Sequence, residues 1–218
     1  MSKILVALSA LLLLIFTPSV KADPIVVTSG SLTVPGLLRA PQYSFAGQNF
    51  TVTGHGSDPG AAPTCFPCKT GDVLGMNGVF AGTSLGRGSV TFGATTLDNV
   101  VFSGLFQFTA SPVVVPGATT NISLTSPFMF SGSFFACPLE VGGLNCGPST
   151  QIFSAQFVGQ GLATIQLRFV QLNANGESLY DLQSVTYNFD SAEIPEPMTI
   201  TLLAAGLMGL AVKRAFRR

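Results

Sequence analysis

The chain has 218 residues, of which only 9% are charged and 47% hydrophobic, with ten basic residues, ten acidic ones and a single His. That hydrophobicity excludes a disordered chain, and the want of clustered cations excludes a nucleic-acid binder. With 24 Gly, 18 Phe, 14 Pro and no Trp, the composition favours an all-β domain over a helical one and gives little material for catalysis.

Residues 1–22 open with Lys3, run apolar from Ile4 to Phe16 and end on Val20, Lys21 and Ala22. A cationic start, an apolar middle and a small-residue end predict a secretory signal peptide, with the cut expected between Ala22 and Asp23. Export follows from this, and with it an oxidising setting for the cysteines.

One domain is expected over 23–193, all-β and folded as an antiparallel β-sandwich, of which the jelly roll is one arrangement. Strands are predicted at Ile25 to Val34, Tyr43 to Thr53, Val73 to Phe80, Ser89 to Thr96, Ser123 to Phe135 and Ile152 to Val158. Period-two alternation marks further strands, with Val100, Phe102, Phe106 and Phe108 on one parity. Ile165, Leu167 and Phe169 repeat it, as do Val185, Tyr187 and Phe189. Asn77-Gly78 and Asn175-Gly176 predict hairpin turns, and Gly82 to Gly88 reads as a hairpin connection. Between Asp23 and Pro195 stand four basic and nine acidic residues, a net of −5. Neutral partners such as glycans or proteins suit that surface better than phosphates.

The chemistry-bearing residues are few. Cys65-Phe66-Pro67-Cys68, Cys137 and Cys146 lack zinc-site spacing, and Lys69-Thr70-Gly71-Asp72 breaks the helix that a redox C-x-x-C needs. Two structural disulfides are the expectation, with three connectivities open. His55, Ser57 and Asp58 share one Gly-rich loop, which is a poor frame for a nucleophilic triad. Asp58, Asp72, Asp98, Glu140, Glu177 and Asp181 fall at predicted turns, with no spacing that joins two for glycoside cleavage and no D-x-D-x-D run for calcium. An exposed, coplanar Tyr43 and Tyr180 would favour a sugar platform, with Tyr187 the third tyrosine. No enzyme activity, metal or cofactor is expected. A glycan-binding or calcium-assisted binding module is the alternative to a structural role, and a secreted hydrolase comes third.

The tail 194–218 is the most specific text in the chain. Pro195-Glu196-Pro197 cannot continue a helix and predicts extended backbone. Met198 to Val212 follows as fifteen uncharged residues, about 22 Å as a helix against a hydrocarbon core of about 30 Å. Lys213, Arg214, Arg217 and Arg218 close the chain and orient such a transmembrane helix with the domain outside. These three parts in order resemble the PEP-CTERM sorting signal of Gram-negative bacteria, a resemblance confined to about the last 25 residues. It implies recognition at Pro195, Glu196 and Pro197 by exosortase, a membrane-embedded protease or transpeptidase. It also implies a transient inner-membrane anchor and a final place at the cell surface or in a biofilm matrix, with exopolysaccharide as a partner. That tail also occurs on some ice-binding proteins, but Thr51-Val52-Thr53 is the one Thr-x-Thr pair within 23–193, and a Thr array is not expected.

Overall fold

A computed structural model describes residues 23–36, 40–56, 65–82, 85–139 and 150–190. The signal peptide with Ala22, Cys146, Pro195-Glu196-Pro197 and the Met198 to Val212 span lie outside the described residues, as do Ser57, Asp58 and Glu140. Asp23 opens the described chain as exposed coil. No helix among the described residues is long and apolar enough to cross a membrane.

Twelve strands occur in chain order: β1 (Ile25–Pro35), β2 (Gln42–Gly47), β3 (Phe50–His55), β4 (Cys68–Lys69), β5 (Val73–Leu74), β6 (Gly78–Gly82), β7 (Arg87–Phe92), β8 (Thr95–Ala110), β9 (Val113–Val114), β10 (Ile122–Pro138), β11 (Phe153–Leu172) and β12 (Ser178–Phe189). The all-β, mainly antiparallel expectation holds. The two-sheet sandwich does not, because the ladder runs β1-β2-β3-β7-β8-β10-β11-β12 and returns to β1. Eight strands therefore close into a barrel. Closure pairs Ser31 to Pro35 of β1 antiparallel with β12, and Ile25 to Val27 parallel with Phe157 to Gly159 of β11, past the end of β12. With every ring strand bonded on both sides, the exposed edges that a sandwich would carry are removed.

An eight-stranded barrel is just wide enough for side chains to fill its interior. Here the filling is aromatic: eleven of the 18 Phe lie in the buried cluster, among them Phe45, Phe106, Phe108, Phe130 and Phe134. Their alternation with Gln107, Thr109, Met129, Ser131 and Ser133, all exposed, gives each long strand one dry and one wet face. Rings meet across the interior, with Phe134 stacked on Phe157 at 5.1 Å and Phe108 on Tyr187 at 4.1 Å. Small residues make room for them. A Cβ at Gly132 would sit 2.9 Å from both Phe106 and Phe130 ring atoms.

Four sequence expectations about strands and turns change. Tyr43 to Thr53 is a hairpin, β2 and β3, turning at Gln48-Asn49 with Asn49 at φ 63°. Ser89 to Thr96 likewise breaks at Gly93 (φ 58°) into β7 and β8. Asn77-Gly78 is not a hairpin turn, because β5 pairs with β9 and β6 with β8, and the Asn77 Oδ1 accepts the Ala110 N–H at 2.8 Å. Gly82 to Gly88 is not a hairpin connection either, since the strands it joins, β6 and β7, both lie along β8. Asn175-Gly176 does turn a hairpin, between β11 and β12, with Gly176 at φ 78°.

Above the short β2-β3-β7 wall, β4, the β5–β9 pair and their loops form a cap. Buried Cys68, Leu74, Met76 and Val115 tie it to the core. Two tyrosines staple it. Tyr187 donates to the Met76 carbonyl at 2.8 Å, and the Tyr180 hydroxyl lies 3.1 and 2.5 Å from the Pro116 and Ala118 carbonyls while accepting the Ala118 N–H at 3.0 Å. Tyr43 acts alike at the β6–β7 link, donating to the Leu85 carbonyl.

Candidate functional site

Among the described residues, the candidate acids Asp72, Glu177 and Asp181 do not converge. Asp72 accepts the Lys69 backbone N–H at 2.8 Å and closes a turn. Glu177 accepts from the Asn173 side chain at 2.7 Å in the β11–β12 turn, and Asp181 pairs with Arg168 at 2.7 Å. Each is engaged in its own neighbourhood, and among the described residues no group of three His, Cys, Asp or Glu side chains is placed to hold a metal. The sugar platform is also corrected. Tyr43, Tyr180 and Tyr187 are all buried, because their hydroxyls are needed inside as staples. Burial pushes the Tyr43 and Tyr187 phenols well above the ordinary tyrosine range, which keeps them as neutral donors.

Cys65 and Cys68 form a disulfide, the pairing of neighbours within the C-x-x-C. Cys68 is buried on β4, opposite Tyr180 of β12, so the motif leads into a strand. A thiol activated at a helix N-terminus has no counterpart in that setting. Cys137 is disulfide-bonded too.

The barrel's outer face carries a site that the sequence reading did not assemble. Register aligns Thr33, Gln42, His55 and Arg87 in one row across β1, β2, β3 and β7. Below it run Ser31, Ser44, Thr53 and Ser89. Neighbouring members stand about 4.8 Å apart, one strand spacing. Both rows line an open groove of about 1130 Å³, bordered by Asp98, Asn99 and Leu139.

Backbone devices shape this groove. Between the pairs Gly88–Val100 and Val90–Leu97, β8 sets two residues, Asp98 and Asn99, against the single Ser89. Asn99 takes φ 54°, a left-handed conformation that Asn tolerates better than most residues, and the bulge brings Asp98 and Asn99 to the groove's border. At the start of β7, glycines flank Arg87. A Cβ at Gly86 (φ 72°) would lie 1.9 Å from the His55 carbonyl oxygen, and one at Gly88 would lie 1.9 Å from that of Thr53. Only bare backbone allows β7 to approach β3 this closely, and that approach fixes Arg87 beside His55.

Among the described residues, no ion pair involves Arg87 or Asp98. Within the groove, Thr33 exchanges a hydrogen bond with Thr186 at 3.1 Å and Ser44 with Thr53 at 3.4 Å. Hydroxyl, amide, imidazole, guanidinium and carboxylate groups thus share one shallow surface. It can hydrogen-bond a polar chain but offers no nucleophile held against a rigid base. His55 illustrates this, since Nδ1 faces its neighbour's Gly56 carbonyl at 3.4 Å. Two signals in the sequence could have pointed here: the Gly86-Arg87-Gly88 run, and Asp98-Asn99 interrupting an otherwise alternating strand.

No family model matches the chain, and no curated protein or solved structure shows significant similarity to it.

Proposed function

We propose that this is an exported surface or matrix protein, processed by an exosortase-type enzyme at Pro195-Glu196-Pro197, whose barrel binds or builds and does not cleave. The observation that carries the reading is the succession of three parts in the tail sequence: helix-breaking Pro-Glu-Pro, a short uncharged span from Met198 to Val212, and four closing cations. A span of about 22 Å grips a bilayer of about 30 Å less firmly than a full-length one, which suits an anchor meant to be exchanged or released. The signal peptide supplies the route out, with the cut at Ala22–Asp23.

Support also comes from what the barrel offers a ligand. Its interior is occupied by Phe rings, so a small molecule carried inside, in the manner of larger barrels, has no room among them. What remains is the outer surface, where the described acids Asp72, Glu177 and Asp181 are each engaged apart from one another. An adhesive or structural role in association with exopolysaccharide uses such a surface; a hydrolase would need two carboxylates facing each other across a cleft.

Replacing Pro195, Glu196 and Pro197 with Ala tests the sorting step. In a host with the cognate exosortase, immunoblots of membrane and extracellular fractions should show the native chain shortened and released. The altered chain should be exported but held full-length in the inner membrane. Equal release and equal fragment size for both would make the tripeptide a mere linker.

A further inference from the structure

We infer that the outer groove binds an acidic polysaccharide, a chain of uronic acid residues, with Arg87 taking a sugar carboxylate and the bulged Asp98-Asn99 pair reading adjacent hydroxyls. The inference deepens the surface-protein reading and rests on it, naming the chemistry that reading leaves open.

Its first support is charge. The segment from Asp23 to Pro195 is net acidic, and a generally acidic surface does not attract polyanions. Arg87 is a local exception: it is exposed, makes no ion pair among the described residues, and stands beside His55 in the register of β3 and β7. A guanidinium fork matches a carboxylate with two parallel hydrogen bonds, and glycines on both sides let its backbone seat closely against β3. Arg168, by contrast, is already satisfied by Asp181 at 2.7 Å.

The second support is the rest of the lining. A phosphate or simple anion site would gather donors alone. This groove mixes donors with acceptors: the Asp98 carboxylate and the amides of Gln42 and Asn99 border the same space as Arg87. A carboxylate at the border disfavours a bare anion but accepts from sugar hydroxyls. A ligand carrying one negative charge per unit together with several hydroxyls satisfies both. The groove is also open and crosses four strands, which suits an extended chain better than an enclosed monomer.

The third support is the backbone. A left-handed Asn99 and a two-against-one bulge interrupt β8, a sixteen-residue strand, at the groove's border. Bulges re-aim side chains, and they cluster beside functional sites.

The test uses the full chain in detergent micelles and isothermal titration with a short polyuronate and a neutral glucan of matched length. The polyuronate should bind, and the glucan at least tenfold more weakly. Arg87→Gln should lower polyuronate affinity about ten- to a hundredfold, as expected for one charge-assisted bidentate contact, and leave thermal unfolding unchanged. Arg168→Gln, on another wall, should leave affinity as it was. Equal affinity for the two glycans, no binding of the polyuronate, or equal loss in both arginine variants would overturn the inference. Should Arg87→Gln not fold, the comparison of the two glycans on the native chain still decides it. Normal release from the cell without polyuronate binding would sink the groove alone; binding without export or release would sink the surface-protein reading alone.

Discussion

The Tyr187 hydroxyl donates to the Met76 carbonyl at 2.8 Å, bridging 111 positions of sequence between the last barrel strand and the cap. Both residues are fully buried, so neither group has water to fall back on. Tyr187→Phe keeps the ring and its stack on Phe108 but strands the carbonyl. The expected loss is about 1–3 kcal/mol by denaturant unfolding. An unchanged midpoint would show that the cap holds without this staple.

Alkaline pH should loosen the fold through the same chemistry. The Tyr43 and Tyr187 phenols titrate well above their ordinary value in the folded barrel, whereas in the unfolded chain they ionise near pH 10. Their contribution is fully present below about pH 10, where both states hold the proton. Above it the unfolded state binds fewer protons, and stability falls by up to about 1.4 kcal/mol per pH unit for each phenol. Unfolding midpoints measured between neutral pH and about pH 11 should decline only in the alkaline arm. Tyr43→Phe should make that decline shallower; an identical slope in the variant would remove Tyr43 as a cause.

Close approach of β3 and β7 predicts a sharp intolerance at Gly88. An added methyl would meet the Thr53 carbonyl and the Gly54 backbone at 1.9 and 2.6 Å, so the strands must part. Gly88→Ala should therefore cost about 2 kcal/mol or more, in the range of overpacking and backbone strain. Gly75→Ala serves as the comparison, because nothing lies within 4 Å of its Cβ position. Similar thermal unfolding of the two variants would mean that the β3–β7 approach is less tight than described.

Mass mapping of the purified protein without reduction should recover Cys65 and Cys68 joined to each other and no alkylatable thiol. Their ring is so short that loop entropy supplies at most about 2 kcal/mol. Replacing both Cys65 and Cys68 with Ser should accordingly lower stability by about 2 kcal/mol or less, without unfolding the barrel. Two free thiols in protein kept oxidising would contradict the pairing.

Much of the wall was legible from alternation alone. Phe102, Phe106 and Phe108 point inward as their parity requires, and Tyr187 and Phe189 do the same on β12. Closure was not legible, because it depends on β1 meeting β11 and β12 more than a hundred residues away, and no local pattern encodes a partner at that distance. Tyr43 and Tyr180 illustrate a second limit. An amphipathic ring looks suited to an exposed platform, yet in this barrel each hydroxyl satisfies a loop carbonyl from inside. The groove stayed hidden for a related reason: Thr33, Gln42, His55 and Arg87 become neighbours only across strands. Reading for Thr-x-Thr along one strand likewise missed Thr33, Thr186, Thr164 and Thr125, which register sets side by side on four strands.

The parallel pairing of Ile25–Val27 with Phe157–Gly159 has a geometric corollary. Phe189, the end of β12, is in register with Gly161, two residues from the partner of Val27. Entry and exit of the chain thus share one pole of the barrel. Thr70 and Ala118 meet β12 near its opposite end, at Ser178 and Tyr180, roughly 30–36 Å up the strand at 3.3 Å per residue. A body tethered through either terminus stands on that shared pole and turns the cap outward, so cutting one tether does not reverse which end faces away from the point of attachment.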